Sequence, residues 1–393
     1  MQKTDKKTFG ILFFSLFATV TGVGIVVPLL PVYAYELGAT GFYIGLIFGA
    51  FSISRTIFIP YFGRLSDKKG RRPFIITGMF AYAITSIAFI FSTSIEALII
   101  IRFMQGIGSA MIMPVIQAYV GDITPDGSEG LSMGLFSAAV FLGLSMGPLL
   151  GGTIKDSFGL NTSFISMGFL AFTGFLLCIL FLPPTKSEPA GQRRKKPVPW
   201  KTLIKDPEIA GLFIFRFTYT TGIGIIWSFM PVFADSRFSL SGSSIGILIM
   251  IAVLVSGLMH TPMGILADRF NKKILVLIGG IISCFAIFSF DLAGGFKDIF
   301  IIQIVFGFGG GISTPAIMAL AVIKGNKTSA MGSVMALLTM AHSAGMMTGS
   351  IFAGFMMDMF ELTKAFTFGS LIMGAGTFLF CILTYSSRKP LLK

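Results

Sequence analysis

Twelve long stretches with almost no charged side chains follow one another along this chain of 393 residues. An apolar segment of about 20 residues is long enough to cross the hydrocarbon core of a bilayer as an α-helix. A segment in lipid must satisfy its own backbone hydrogen bonds, so each stretch is predicted to be helical. The predicted helices lie near residues 9–33, 42–62, 74–93, 96–120, 130–154, 161–183, 209–233, 243–263, 274–292, 298–323, 330–355 and 364–385. The sequence therefore predicts an all-α membrane protein with twelve transmembrane helices.

The distribution of positive charge predicts how the helices are oriented. Most of the 30 Lys and Arg residues fall in alternate connections that share one side of the membrane, and the opposite side holds only Lys155, Arg237, Lys297 and Lys364. Cytoplasmic loops carry such an excess, so both termini are predicted to be cytoplasmic in the cell (inner) membrane. The first stretch has no cleavage pattern and is expected to remain as a membrane anchor. The net charge of +13 is therefore attributed to orientation and lipid contact rather than to nucleic acid.

The second half of the chain repeats the first. Residues 21–33 return as residues 221–233, and the stretch GRLSDKKGRRP at 63–73 returns as GILADRFNKKI at 264–274. A polar, basic, proline-containing segment lies between the two copies, as expected for a linker. Parallel repeats of this kind build many secondary transporters, with the substrate site between the halves. We predict two pseudo-symmetric six-helix bundles, residues 1–183 and 209–393, joined by a cytoplasmic linker at 184–208.

The stretch at 63–73 places an acid among five basic residues between two apolar helices. A short connection there is expected to need Gly63 and Gly70 for tight geometry and Pro73 to begin the next helix. In the second copy Asn271 replaces the second glycine, and we expect it to adopt the left-handed backbone that asparagine tolerates. A solvated positive-inside loop would explain the basic residues. It does not explain why an acid stands at the same place in both halves, at Asp67 and Asp268.

This stretch resembles the loop signature of the major facilitator superfamily. The matching positions are Gly63, Leu65, Asp67, Lys68, Gly70, Arg71 and Arg72. The resemblance implies the major facilitator fold and a cytoplasmic latch between the bundles, formed by Asp67 and Arg71. It extends to Arg72, to Asp268 in the second copy, and to Asp122 at the end of the fourth helix as a third member of the latch.

The fifth helix carries a glycine pattern that resembles a second motif of this superfamily, one that marks antiporter-type exporters. Its residues are Gly143, Gly147, Pro148, Gly151 and Gly152. Glycines at every fourth position leave one helix face bare for close packing, and a proline removes a backbone hydrogen bond and is expected to bend the helix. The second half keeps small residues at Ala341, Gly345 and Gly349 but has no proline. Packing alone accounts for the shared small residues, whereas the unshared proline favours an exporter over an importer.

Basic side chains inside the predicted helices are candidate functional groups, because a charge at the helix centre costs about 2.5 to 3.5 kcal/mol on insertion scales. Arg55 lies eight residues before Gly63, about 12 Å into the membrane, and is the first candidate for a substrate or gating contact. Arg216 is the second, with pairing to a helix-end carbonyl as the alternative. Arg102 belongs to a pattern that resembles the superfamily's Arg-x-x-Gln-Gly-x-Gly motif, whose arginine is tied to proton coupling. Snorkelling to the outer surface is its alternative reading.

Three further titratable residues are candidates for substrate contact or proton coupling. Glu36 lies at the outer end of the first helix, and His260 and His342 lie in the eighth and eleventh helices. Ordinary packing is the alternative for both histidines. The three cysteines, Cys178, Cys284 and Cys381, lie in apolar stretches and are interpreted as core residues without disulfide or metal.

These features together predict a secondary transporter. The chain resembles drug:proton antiporters of the multidrug efflux type, many of which carry a buried carboxylate. No Asp or Glu lies in the middle of a predicted helix here. This difference favours an anionic, zwitterionic or amphiphilic substrate. We expect a proton-coupled exporter of small amphiphilic compounds or drugs, with a transporter of an anionic or zwitterionic lipid such as a lysophospholipid as the alternative. A membrane enzyme, a channel and a receptor are disfavoured. The sequence contains no phosphate-binding loop motif, so transport driven directly by ATP is not expected. The expected partners are the substrate, protons and membrane lipids, with no cofactor and a monomeric state.

Overall fold

The structure, a computed structural model, describes residues 3–124, 129–184, 203–328 and 330–385. Most of the predicted linker, residues 185–202, lies outside this part of the chain. The described residues contain twelve helices long and apolar enough to span a membrane, at the twelve predicted places. They are α1 (Lys3–Glu36), α2 (Gly41–Lys69), α3 (Arg72–Ala88), α4 (Ile95–Ile123), α5 (Glu129–Phe158), α6 (Leu160–Phe181), α7 (Pro207–Phe238), α8 (Gly242–Arg269), α9 (Lys272–Ser289), α10 (Phe296–Lys327), α11 (Met331–Met359) and α12 (Leu362–Tyr385).

Most helices extend several residues beyond the predicted apolar stretch. α2 continues through the charged residues to Lys69, and α10 continues to Lys327. The backbone hydrogen bonds of a helix do not stop at the lipid boundary, because polar side chains at its ends remain solvated while the helix continues. Hydropathy therefore gives the position of each helix but underestimates the length of most; α3, α6 and α9 are instead slightly shorter than predicted.

Side chains with short polar groups begin several of these helices. Ser94 accepts a hydrogen bond from the Ala97 amide at the start of α4, and Asp206 accepts from the amides of Glu208 and Ile209 at the start of α7. Such caps satisfy amides that have no partner within the first helical turn. The connections between neighbouring helices can therefore be short.

The sequence repeat is also a structural repeat. α3 and α9 both end in a single 3-10 turn, at Phe89–Phe91 and Phe290–Leu292, followed by one extended residue. The first residue of each turn, Phe89 or Phe290, is fully buried. The same aromatic anchor fixes the end of the third helix in both halves.

The described residues group into two compact units. The first comprises those within Met1–Ala39, Leu46–Gln192 and Ala234–Met250, and the second those within Thr40–Gly45, Arg193–Phe233 and Ile251–Lys393. The start of α2 thus belongs to the second unit and the start of α8 to the first. The division into residues 1–183, 184–208 and 209–393 stays a prediction.

Each unit is built on buried apolar side chains. In the first, Met79, Tyr82 and Ile116 belong to one buried cluster that also contains Cys178, whose thiol lies 3.4 Å from the Ser15 hydroxyl. In the second, the ring of Phe366 stacks on Phe290 with centroids 4.6 Å apart. The three cysteines are free, and Cys178 is buried as its interpretation as a core residue requires, whereas Cys284 and Cys381 are half-buried.

Candidate functional site

The connection between α2 and α3 is shorter than the sequence motif indicates. Gly63 lies inside α2, and nothing is within 4 Å of the position where its Cβ would be. Its prediction as a turn residue is therefore wrong, because the helix runs on to Lys69. Gly70 does form the turn, with φ of +87°, and Arg71 and Arg72 then lead into α3 with Pro73 in its first turn, as predicted. One glycine of the motif has a backbone role and the other does not.

We expect Gly70→Ala to destabilise the protein by about 1 kcal/mol, because a side chain at this positive φ strains the backbone. Gly63→Ala is the matched control. It adds a methyl group in open space within a helix, and its expected effect is zero or slightly stabilising. Thermal unfolding of the purified variants measures both, and equal losses would contradict the assigned turn.

Arg71 brings three of the predicted latch residues together. Its guanidinium contacts Asp67 one helical turn earlier in the chain and donates from Nε to Asp122 at 3.1 Å. It also donates from Nη1 to the Ser66 hydroxyl at 3.1 Å. Burial alone would lower the pKa of Arg71, but the hydrogen bonds and charges of Asp122 and Asp67 raise it above its ordinary value. Arg71 is therefore a permanent cation that joins the ends of α2, α3 and α4.

Arg72 has a different role from its neighbour. Its Nη2 donates to the Ile179 carbonyl at 2.8 Å, in the last turn of α6. The basic residue at the matching place in the second half, Lys273, donates to the Thr384 carbonyl of α12 at 2.6 Å. Basic side chains satisfy the unpaired carbonyls at helix ends. The second arginine of the motif thus anchors the sixth helix of its own half.

The second copy of the motif is built differently from the first. Asn271 has φ of −66° and ψ of 108°, so the prediction of a left-handed backbone is wrong. Its side chain instead accepts a hydrogen bond from the Lys273 amide at 3.0 Å and caps α9. Asp268 is exposed at the end of α8 and forms no ion pair with any described residue. The two latch sequences are alike in residue type but not in contacts.

Charged residues at the start of α7 form a network that the sequence analysis did not single out. Lys324 lies 2.8 Å from Asp206 and 2.7 Å from Glu208, and Lys273 lies 2.7 Å from Glu208. The lysines were read only as topology signals. Asp206 and Glu208 lie at the start of a helix on the side of the membrane that is rich in basic residues. Their position was the sequence signal for ion pairs with these lysines.

The glycines of α5 pack closely, as predicted, and their partner, which the sequence did not identify, is the backbone of α1. A Cβ added at Gly147 would lie 2.6 Å from the Cα of Gly24, and one added at Gly151 would lie 2.7 Å from the Ile25 carbonyl oxygen. Gly143 meets the Thr21 amide in the same way, at 3.0 Å. Only glycine permits this approach.

Pro148 and Gly152 continue the motif on other contacts. The helix is continuous through Pro148, whose Cδ would be 2.9 Å from a Cβ at Gly24. A Cβ at Gly152 would collide with the carbonyl of Gly242. In the second half Gly345 and Gly349 pack on Thr221 of α7, and Ala341 accepts a hydrogen bond from Thr220 through its carbonyl. The ladder is thus shared by both halves, and the proline is not.

Two aspartates cap helix starts in a repeated arrangement that the sequence analysis missed. Within the first unit, Asp156 accepts from the amides of Gly242 and Ser243 at 3.0 and 2.7 Å. Within the second, Asp358 accepts from the amides of Gly41 and Phe42 at 2.6 and 2.8 Å. A carboxylate at a helix N-terminus satisfies free amides and the positive end of the helix dipole. Asp156 and Asp358 are 202 residues apart, close to the period of the sequence repeat, and this spacing was the signal that both have the same role.

Arg102 is buried rather than snorkelled. Only 6% of the residue is exposed, and its guanidinium lies over the ring of Phe51 at 4.5 Å and near that of Phe48 at 5.2 Å. Its Nη1 donates to Gln105 Oε1 at 3.2 Å. The reading as a surface anchor is therefore wrong, because aromatic rings and α2 enclose the charge.

Arg55 lies on the neighbouring helix in the same unit. Its Nη2 approaches the Met113 sulfur at 3.6 Å, which is a weak acceptor. Arg55 and Arg102 both lie close enough to the Tyr82 hydroxyl for an electrostatic interaction. The charges of two candidate arginines thus act on one buried tyrosine.

Arg216 and His342 form a pair in the second unit. Arg216 Nη2 lies 3.2 Å from His342 Nδ1, so the predicted alternative of a helix-end carbonyl is not the contact observed. A guanidinium can only donate, and therefore Nδ1 must accept and the imidazole must be neutral. His260 Nδ1 lies 2.6 Å from the Ser256 carbonyl of its own helix. Of these two hydrogen-bond contacts, that of His342 is the one made with a candidate cation.

Comparison with known proteins identifies the family. The sequence model described as Major Facilitator Superfamily matches residues 12–236 and 212–392. This chain belongs to the major facilitator superfamily. It is 28% identical over 379 residues to an uncharacterized MFS-type transporter of Methanocaldococcus jannaschii, covering 94% of this chain and 96% of that one. It is 26% identical to multidrug resistance protein 1 of Bacillus subtilis, covering 94% of each chain.

Solved structures show the same fold for this major facilitator transporter. A mutant of the nucleoside transporter NupG superposes with a TM-score of 0.81 at 16% identity, covering 96% of this chain and 99% of the other. The predicted all-α major facilitator fold is therefore confirmed. The chain is a multi-pass membrane transporter, with relatives that are transporters rather than enzymes.

The remaining predicted residue of this transporter stands apart from the others. Glu36 is exposed at the end of α1 and lies 4.0 Å from the Lys155 ammonium, at the limit of an ion pair. Exposed pairs contribute little. No group of three or more His, Cys, Asp or Glu side chains lies together for a metal among the described residues. The candidate groups thus fall into an arginine cluster on α2 to α4, an Arg216–His342 pair, and the Arg71 ion network.

Proposed function

We propose that this transporter is a proton-coupled exporter of small amphiphilic compounds that works by alternating access. It acts as a monomer in the cell membrane with both termini in the cytoplasm. The observation that carries the proposal is the glycine face of α5, with Pro148 set against Gly24 of α1. This motif resembles that of antiporter-type exporters, and a multidrug resistance protein is among the relatives that match over 94% of both chains.

The Arg216–His342 pair is the coupling element of the proposal. Its 3.2 Å contact requires a neutral imidazole, because a protonated His342 would present a donor and a positive charge to the guanidinium. Binding a proton at His342 therefore breaks the contact and frees Arg216. Histidine is suited to this role because its charge changes near neutral pH. Among the described residues, no carboxylate in the middle of a helix offers an alternative proton acceptor.

We expect His342→Gln to reduce pH-driven transport by at least about tenfold. Glutamine preserves a hydrogen-bond acceptor for Arg216 but cannot take up a proton. Purified protein is reconstituted in liposomes containing a lipophilic fluorescent dye, and dye movement is followed after a pH gradient is imposed. Dye exchange without a gradient should persist in the variant, since binding of the dye is intact.

His260→Gln is the matched control for this measurement. This histidine also lies in a helix, and its Nδ1 lies 2.6 Å from the Ser256 carbonyl of that helix. It is expected to retain most of the gradient-driven movement. Dye movement by the wild-type protein that ignores the gradient would refute proton coupling, and an unaffected His342→Gln variant would refute the assigned coupling residue.

A second candidate is transport of an anionic or zwitterionic lipid-like substrate. It is favoured by the helix interiors of the described chain, which hold Arg55, Arg102 and Arg216 but no carboxylate. The same liposomes loaded with a fluorescent lysophospholipid distinguish the candidates. Movement of the lipid but not of the dye would favour this second function.

A further inference from the structure

Five buried side-chain atoms of the first unit have no hydrogen-bond partner among the described residues, and one of them, Arg72 Nε, lies at the start of α3. The other four are Arg55 Nε, Arg102 Nε, Gln105 Nε2 and Tyr82 Oη. Tyr82 is 1% exposed, Gln105 is fully buried and Arg102 is 6% exposed. All four atoms carry a hydrogen to donate. Leaving a buried donor without an acceptor costs about 1 to 3 kcal/mol, and more for a charged group.

Helix packing places these donors at one junction. A Cβ at Gly106 of α4 would lie 3.2 Å from the Arg55 amide of α2, so the two helices meet there. Two residues further along α4, a Cβ at Gly108 would lie 3.7 Å from the Tyr82 ring of α3. The Tyr82 hydroxyl interacts electrostatically with both arginines. The three helices that carry the donors, α2, α3 and α4, therefore meet inside the first unit.

No carboxylate balances the two positive charges. The acids of α2 and α4 are at their ends, at Asp67, Glu96 and Asp122. Asp67 is twelve residues from Arg55, about 18 Å along the helix, and Glu96 is six residues from Arg102, about 9 Å. Asp67 and Asp122 are moreover engaged by Arg71. Buried charges in a membrane protein normally face a partner or a ligand.

The second half serves as an internal comparison. The residue matching Arg102 is Gln303, whose buried Oε1, an acceptor, has no partner. Arg216 Nε also has no partner, but the same guanidinium contacts His342 through Nη2. A set consisting of donors alone, with two uncompensated charges, occurs only in the first unit among the described residues.

We propose that Arg55, Arg102, Tyr82 and Gln105 form a binding site for an anion within the first unit. The ligand is a small anion or an anionic group that accepts several hydrogen bonds. Its source is either an inorganic anion such as a halide or the carboxylate of an amphiphilic solute. The site depends neither on the direction of transport nor on its coupling, so its test requires no flux.

Thermal unfolding of the purified protein in detergent tests the site. Sodium chloride and sodium bromide are titrated against sodium gluconate at constant ionic strength, and sodium benzoate is titrated in a second arm. A ligand at ten times its Kd should raise the Tm by about 2 °C, and the rise should saturate. Bromide added to crystals should also give an anomalous peak beside the four donors.

Tyr82→Phe is the decisive variant because it removes one hydroxyl without changing the shape of the side chain. It should weaken the apparent affinity for the anion at least about fivefold, and Arg55→Gln should abolish the rise. Tyr119→Phe is the matched control, since that buried hydroxyl donates to the Pro183 carbonyl instead. The Tm of this variant without added anion can differ from that of the wild type, but the increase in its Tm on adding anion should be the same.

Each outcome has a fixed meaning. A saturable rise with halides that Tyr82→Phe weakens supports a site for an inorganic anion. A rise with benzoate alone, weakened in the same way, supports a site for the anionic group of a solute. No rise with any anion, or a rise that Tyr82→Phe and Tyr119→Phe affect equally, overturns the proposal. None of these results depends on whether the protein exports dye with protons.

Discussion

Replacing Gly147 with leucine is expected to prevent α1 and α5 from packing and to leave little folded protein. A single Cβ at this position would already lie 2.6 Å from the Cα of Gly24 and would collide with the Thr21 carbonyl. Both obstacles are backbone atoms, which cannot rotate away as a flexible side chain does. Overpacking a well-packed core costs about 1 to 3 kcal/mol and occasionally more. Here we expect the upper end or beyond, seen as low yield and a Tm lowered by many degrees.

Gly134→Leu in the same helix is the control. Nothing lies within 4 Å of the position where its Cβ would be, so the same substitution meets no neighbour. Its Tm and yield should remain close to those of the wild type. If both variants lost stability equally, the loss would reflect leucine in α5 generally, and close packing on α1 would not be the reason for the glycine.

Arg71→Ala is expected to cost about 2 to 3 kcal/mol of stability and to impair transport. The substitution leaves Asp67 and Asp122 without their shared cation, and Asp67 has only 15% of its side chain exposed. Breaking a buried ion pair from one side costs about 3 to 5 kcal/mol. The smaller figure applies here because the Asp122 side chain is 44% exposed and keeps part of its hydration.

The effect should not depend on pH near neutrality. The pKa of Arg71 is raised by its partners, so its contribution is fully present below the ordinary arginine pKa and is lost only in strongly alkaline solution. Arg64→Ala is the control, because this exposed arginine lies in the same motif. Thermal unfolding and dye movement are measured for both variants. Similar losses would show that the motif needs net positive charge rather than the Arg71 contacts.

Hydropathy and charge were sufficient to predict the twelve helices. Every predicted stretch is a helix, because a segment in lipid has few alternatives that satisfy its backbone. The glycine ladder was predictable for a similar reason. Repeated small residues at every fourth position, such as Gly143 and Gly147, are rarely explained by anything except a close helix neighbour.

Side-chain partners were predicted less well. Gly63 and Asn271 were both placed in a tight turn from a motif, yet one lies within a helix and the other is a helix cap. Snorkelling was an alternative for Arg102 because few residues separate it from the outer end of its helix. The rings of Phe48 and Phe51 that cover it come from another helix.

The sequence by itself determined the helices, their repeat and the family, since these follow from local composition and spacing. Only the tertiary structure decided that Arg216 contacts His342, that Arg71 joins Asp67 to Asp122, and that the charges of Arg55 and Arg102 both reach Tyr82. The physical reason is that a hydrogen bond or an ion pair depends on distances of about 3 Å between atoms from different helices. Those distances are fixed by how the helices pack and rotate, and no spacing within one helix specifies them.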